Sequence, residues 1–565
     1  MGILDRFRAS LGAIPRAGLR REANHFLTAT RDCRGEQRRV LQSLIALNGD
    51  SRFAVQRGLN EVRSAADLRN RIGVTSYEDY ADPIEQMKRG NHRALLGSRN
   101  QLLMFSLSSG TTATSKFVPI TRQFFSDYKR GWQIWGIRAF DDYPAMNARR
   151  ILQLSSNHDR FRTPGGTPCG NISGLAAVMQ RPIVKTMYTV PGTLGAVDNP
   201  DAKSYTTLRL ALADDNIGLV MTANPSTLVQ LAKLADDRRE ELIRDIADGT
   251  LAVRDVVPAT VLQQLRRRFA RRQPKRAREL ERIVDREGRL FPKDYWSRIE
   301  VAAVWTGGSA GAYLHSLRKY YGDVHVRDHG LSASEGRMTI PFSGGGSEGI
   351  LDVTSHFFEF IPEEEYGDPN HNVLEAHELE AGRNYFILLT TSSGFYRYDI
   401  CDVVQCTGFH NTTPMLEFLH KGAHISNVTG EKISESQVVQ AVSLCARQMD
   451  VHLEHFTVTP VWGEPPRYRL LGERADFPSA QSAEEFVRLV DAGLQQINCE
   501  YRDKRRTGRL EAMSFLPLPE GTWQAFTTRR QRTLGGSLEQ YKHPCLVPDM
   551  TFSERLVREC AGHAA

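Results

Sequence analysis

The chain has 565 residues, 41% apolar and 25% charged, with 45 Gly and 25 Pro, which excludes a collagen-like, low-complexity or wholly disordered polymer. Its length predicts three or four structural units, or one large domain with a smaller companion. The formal charge of +7, from 73 basic and 66 acidic side chains, is too weak over so large a surface to predict a nucleic-acid partner.

No window approaches the about 18 consecutive apolar residues of a spanning helix, and Met1 to Arg8 has no apolar signal core behind it. A cytoplasmic setting without membrane association is expected. The eight cysteines fall at no metal-ligand or redox spacing, so reduced thiols are expected too.

In chain order, residues 1–70 read as a helical segment packed on a larger body, with Leu41, Leu44, Ile45 and Leu47 near helical spacing. After a polar loop around Gly110, the aromatics Phe124, Phe125, Tyr128, Trp132 and Trp135 recur at helical spacing, either as core or as the lining of an acyl pocket. Short buried strands are predicted at Ile151–Ser155 and Gly218–Thr222, the second leading through Asn224-Pro225-Ser226 into one helix from Thr227 to Arg244. Between them, the Ser155-Ser156-Asn157-His158 loop offers His158 as a base for an amine, or as a structural histidine. Repeated strand, loop and helix order predicts an α/β architecture with helices flanking sheets.

From Gln263 to Arg289 arginines crowd a stretch that Pro274 divides. Val261, Leu265 and Phe269 on one side, and Leu280, Ile283 and Val284 on the other, predict two amphipathic helices at about 260–290 with arginine outward. A surface for an anionic partner is the alternative. A strand-like Met415–Leu419 precedes a domain boundary near residue 422, beyond which Glu435–Met449 reads as helix and Tyr468–Leu471 as strand.

The chemistry-bearing residues lie in four places. In Phe105 to Lys116, the hydroxyls of Ser108, Ser109, Thr111 and Thr112 surround Gly110, whose missing Cβ lets backbone N–H groups approach an anion, and Lys116 adds charge. The spacing is not that of a Walker loop. Second, Ser334 and Glu335 follow Asp328-His329-Gly330 and the Trp305-Thr306-Gly307-Gly308 stretch; a carboxylate at the end of a small-residue loop can hold Mg²⁺ beside nucleotide phosphates. Third, Gly394 to Asp402 carries Arg397 and ends in an aspartate able to accept ribose hydroxyls, with an Arg–Asp structural pair as the alternative. Last come Lys432 in Gly430-Glu431-Lys432 and Lys542 in Gln540-Tyr541-Lys542-His543-Pro544.

The order of these segments, with Thr75-Ser76-Tyr77-Glu78-Asp79-Tyr80 before them and Phe357-Phe358-Glu359-Phe360-Ile361-Pro362 among them, resembles the acyl-adenylating superfamily. More specifically it resembles the auxin-responsive acyl-acid amido synthetase (Gretchen Hagen three) family, over roughly residues 70 to 550. The resemblance implies the acyl-adenylating α/β fold: a large domain at 71–421 and a small mobile α+β lid at 422–565. It implies an ATP-dependent ligase that activates a small carboxylic acid as acyl-adenylate and passes the acyl group to an amino acid or other amine, releasing AMP and pyrophosphate. By the same likeness Ser108, Ser109, Gly110, Thr111 and Thr112 cradle ATP phosphates, Ser334 and Glu335 serve nucleotide and Mg²⁺, and Asp402 the ribose. Gly307, Gly308, Arg397 and Lys116 line the nucleotide site, and Lys432 and Lys542 bring charge from the lid. Two positions depart from the family pattern: Leu331 stands where an aromatic residue is usual, and Cys401 where glycine is common. Thioester formation with coenzyme A, or non-catalytic binding of an acidic partner by the arginine-rich helices, are the alternatives. Acid and amine stay open, and a monomer is favoured.

Overall fold

The computed structural model describes residues 13–108, 116–422, 425–426, 428–429, 431, 433–534 and 542–561. The described residues begin with helices Ala13–Ala29, Cys33–Asn48, Arg52–Gln56 and Ala65–Arg71. Side chains start three of them: Asp32 accepts from the Gly35 N–H, Ser51 from Ala54, and Ser64 forms a reciprocal box with Asp67. Val40, Leu41, Leu44 and Ile45 enter a core shared with Phe357, Phe358 and Phe360. Polar groups stitch the same helix down: Gln37 Nε2 donates to the carbonyls of Val353 and His356, and its Oε1 accepts from the Phe358 N–H at 2.8 Å.

Two sheets carry the large domain. Four parallel strands are ordered Arg150–Gln153, Ile217–Met221, Val301–Ala303 and His325–Arg327, and the central two read as apolar runs because both faces are covered. Seven antiparallel strands run Leu374–Glu375, Phe357–Pro362, Asn384–Thr390, Tyr398–His410, Thr413–Lys421, Gly349–Leu351 and Thr339–Ile340. A smaller mixed sheet pairs Leu102–Ser108 with Lys116–Thr121 and with Pro168–Gly170. In place of the single helix expected over Thr227–Arg244, there are two, Pro225–Asp237 and Arg239–Asp248. The stretch Asp236-Asp237-Arg238-Arg239 has no apolar residue to hold one axis on the core, and Arg238 turns to pair with Glu241. The arginine-rich pair forms Ala259–Phe269 and Pro274–Glu287, with Pro274 in the first turn of the second helix. Val261, Leu265, Phe269, Leu280 and Ile283 are in the core, and of the arginines on these helices only Arg276 is buried, donating to the carbonyls of Leu212 and Tyr295.

Past residue 433, helices Glu435–Met449 and Ala480–Ile497 cover a sheet of Thr457–Val461, Arg467–Glu473 and Glu511–Leu518 around a separate core. This smaller α+β body touches the large one through Lys233–Glu454 at 2.6 Å, Tyr313 against His455, and His315 against His452. Among the described residues no helix is long and apolar enough to cross a membrane.

Candidate active site

Ser108 pairs with Lys116 across the strands Leu102–Ser108 and Lys116–Thr121. Ser109, Gly110, Thr111 and Thr112 lie outside the described residues, as does Lys432. At the base of this pair Ser106 Oγ lies 3.3 Å from Ser334 Oγ, so the first and second sequence segments meet. Tyr77 Oη accepts the Phe117 N–H at 2.8 Å, and the Lys116 ammonium lies 5.4 Å from the Tyr77 ring centre. Tyr77 reaches this place because Thr75 bridges Tyr398, exchanging hydrogen bonds with Arg397 and Asp399.

Glu335 occupies a tight turn closed by the Ala333 N–H to the Gly336 carbonyl at 2.8 Å and flanked by a bridge between Ser332 and Arg337. Its side chain is buried, and desolvation raises its pKa while the Lys421 ammonium opposes the shift. A cation taking this carboxylate as ligand removes that desolvation cost. Leu331, at the start of the turn, is half-buried against the core and holds its N–H on Thr339 Oγ1. It offers an aliphatic rather than an aromatic face.

Asp402 is buried and accepts from Lys421 Nζ at 2.5 Å, and the same ammonium donates to the Ile400 carbonyl at 3.0 Å. Burial works against the Lys421 charge, but Asp402 outweighs it and raises the lysine's pKa. Sequence reading passed over Lys421, which follows a strand in an unremarkable polar run; only the antiparallel register of Asp402 with Lys421 makes it the aspartate's partner. Cys401 stands at φ +56°, in the left-handed region, which is the physical reason glycine suits that position. Its N–H is held by Asp399 Oδ1 at 2.7 Å.

Arg397 requires a correction. Its Nε donates to Glu359 Oε2 at 2.9 Å and its Nη1 to the Ile72 carbonyl at 2.8 Å, while Arg69 donates to the other oxygen of Glu359 at 2.7 Å. The side chain is buried and its bonds go to this triad and the Ile72 carbonyl. The partner is a glutamate 38 residues away, not a neighbouring aspartate, and no local pattern reveals it.

Gly307 and Gly308 run against the strand Thr413–Lys421. A Cβ on Gly308, whose φ is +56°, would stand 2.8 Å from Phe418 Cε1, and one on Gly307 would stand 3.2 Å from the Phe418 carbonyl oxygen. Asp328 shapes the same loop: Oδ2 accepts from the Thr306 N–H at 2.6 Å and Oδ1 from the Gly330 N–H at 2.6 Å.

Lys542, from the C-terminal body, enters here. Its ammonium lies 4.4 Å from the Trp305 ring centre and 5.2 Å from that of Phe418. Dense surroundings lower its pKa, although the side chain keeps contact with solvent. The segment is anchored by Glu435 Oε1, which accepts from the Cys545 N–H at 2.7 Å, and by Thr457 Oγ1 near His543 Nε2 at 3.0 Å.

Behind Trp305, His329 packs between Trp305 and Trp132 with ring centres 5.4 and 5.1 Å away, and burial pushes its pKa down to about 3. Of the aromatic stripe, Phe124, Phe125 and Trp135 are core, whereas Trp132 and Tyr128 are half-buried, Trp132 against His329 and Tyr128 edge-on to Trp132 with ring centres 6.3 Å apart. His158 is half-buried, with a pKa lowered by burial, and sits in the loop whose backbone packs against Gly170 and Gly174.

Comparison with known proteins matches the models of the GH3 family N-terminal domain at residues 22–326, the GH3 family central domain at 349–421 and the GH3 family C-terminal domain at 436–551. A jasmonoyl–L-amino acid synthetase of Nicotiana attenuata, JAR4, is 24% identical over 545 residues, covering 93% of each chain. An indole-3-acetic acid-amido synthetase of Arabidopsis thaliana, GH3.4, is 22% identical over 549 residues, covering 92% of this chain and 90% of its own. The solved GH3.15 acyl acid amido synthetase superposes with a TM-score of 0.81 at 18% identity over 95% of both chains.

Proposed function

The chain belongs to the GH3 family, and from that premise we propose that it is an acyl acid amido synthetase, joining a small carboxylic acid to an amino acid or other amine through an acyl-adenylate. The observation that carries this reading is the gathering of Lys116, Ser334–Glu335, Asp402–Lys421 and Lys542, from distant segments, within electrostatic reach of one another.

The chemistry asks for alignment and charge compensation more than for a protein nucleophile. The substrate carboxylate attacks the α-phosphorus of ATP, the α–β bridging bond breaks, and pyrophosphate leaves; the amine nitrogen then attacks the acyl carbon, loses a proton, and AMP departs. Lys542 offsets charge growing at the α-phosphate, and Lys116 and the loop beginning at Ser108 hold the outer phosphates, with Ser109, Gly110, Thr111, Thr112 and Lys432 carried as part of the same reading. Asp402, oriented by Lys421, takes ribose hydroxyls. Gly307 and Gly308 leave room for the nucleotide beside Phe418, and Glu335 is the residue suited to Mg²⁺, which would neutralise phosphate charge when bound. Arg397 positions the strand that carries Asp402. Trp132 and Tyr128 front the acyl side.

The domain limits belong to the same proposal: 1–70 as a packed helical segment, 71–421 as the nucleotide and acyl domain, and 422–565 as a lid hinged near Gly422 that closes for adenylation and turns for amide formation. So do a cytoplasmic setting, supported by five buried free thiols among the described residues, and action as a monomer. The test is acid-dependent ATP–pyrophosphate exchange over a panel of small carboxylic acids, followed by mass spectrometry of products with mixed amino acids. Amide with AMP is the expected result; product only with coenzyme A would reassign the second step, and no exchange with any acid would defeat the reading.

A further inference from the structure

Where the two bodies meet, three metal-ligating side chains converge that the reaction does not use. His315 lies on helix Leu314–Tyr321 of the large domain; Asp450 caps helix Glu435–Met449 of the C-terminal body, and His452 follows it. The imidazole rings of His315 and His452 stack with centres 4.4 Å apart and planes 13° from parallel. Both present Nε2 to one carboxylate oxygen, Asp450 Oδ1, at 3.7 and 3.8 Å. One donor atom from each residue falls within 4.8 Å of the other two. Asp450 holds φ at +53°, a left-handed conformation uncommon for aspartate, which turns the chain out of the helix between the two ligands it supplies. His315 Nε2 and His452 Nδ1 are buried and have no hydrogen-bond partner among the described residues.

We propose that His315, Asp450 and His452 form a divalent transition-metal site that bridges the two domains. Two imidazoles and a carboxylate favour Zn²⁺, Co²⁺, Ni²⁺ or Cu²⁺ over Mg²⁺. Tetrahedral coordination at about 2.0–2.2 Å sets neighbouring donors about 3.3 Å apart, so the trio needs only side-chain rotation to close on an ion, leaving the fourth position to water. Lys319 opposes an added cation, Asp450 and Glu454 favour it, and Glu454 is partly neutralised by Lys233. Because the ligands come from both bodies, the ion binds only the orientation that brings them together. At a free concentration 100 times its Kd it would raise the population of that orientation relative to others about 100-fold, a brake on any step that requires the lid to turn.

The test uses the full chain without a histidine tag, titrated with Co²⁺ in the presence of excess Mg²⁺ and followed by visible d–d absorption and calorimetry. One equivalent in a tetrahedral spectrum is expected for wild type. His315→Asn, His452→Asn and Asp450→Asn should each weaken binding about 10-fold or more while melting within a few degrees of wild type. His315→Asn is decisive for bridging, since it leaves both C-terminal ligands in place. Unchanged Co²⁺ binding in that variant, or none in folded wild type, overturns the proposal; neither result bears on amide synthesis.

Discussion

Asp127 shows how far one buried carboxyl can depart from its ordinary behaviour. Desolvation, aided by Asp352, pushes it up to about 7, although Arg130 and two bonds from Gln123 Nε2 at 3.1 Å oppose the shift. The unfolded chain releases this proton near pH 4 and the native one near pH 7, so between those values the native state binds more protons and stability falls as pH rises. Asp127→Asn should flatten that slope and leave the variant about 2–4 kcal/mol more stable than wild type, relative to their difference at acid pH, once pH exceeds 7. Urea midpoints at pH 5 and pH 8 measure it, and parallel curves for the two proteins would refute it. Asp127 lies in the stretch read for aromatic periodicity, and periodicity carries no information about which carboxyl will be buried against a second one.

Between elements, the strand Tyr398–His410 is set by contacts far from its own sequence. The Arg69–Glu359–Arg397 triad ties the helix Ala65–Arg71 and the strand Phe357–Pro362 to its start, with Glu359 and Arg397 both buried. Glu359→Gln strands two guanidinium groups, and a broken buried pair of this kind costs about 3–5 kcal/mol. Denaturation should show that loss while the ATP affinity of the remaining folded enzyme is unchanged; a large affinity change would place Arg397 back among the nucleotide contacts. The loop Thr306–Gly308 depends likewise on the strand it crosses. Gly308→Ala adds a Cβ into the Phe418 ring at a positive φ, costing about 1–2 kcal/mol and raising KM for ATP, since Phe418 also faces Lys542. Steady-state kinetics with ATP varied decide it.

On the scale of the whole molecule, the placing of Lys542 between Trp305 and Phe418 depends on how the C-terminal body sits on the large domain. Lys542→Ala should cut ATP–pyrophosphate exchange by about 10²–10³ while calorimetry still finds ATP bound, because the ammonium acts on charge that develops after binding. Wild-type exchange in the variant would remove the lysine from adenylation. The contacts that hold this arrangement include the Lys233–Glu454 ion pair, His315 stacked on His452, and Tyr313 against His455.

By itself the sequence determined the family, the α/β class, the helical start and the split arginine-rich pair at Pro274, because apolar periodicity, caps and short ordered motifs are local properties. Tertiary structure alone decided that Lys421 rather than Arg397 partners Asp402, that Arg397 belongs to Glu359, that a predicted helix breaks at Arg238, and which aromatics of one stripe enter the core. Each depends on strand register or on two elements meeting across tens to hundreds of residues, and a charged side chain reads the same in sequence whether its partner is solvent, ligand or a buried carboxylate.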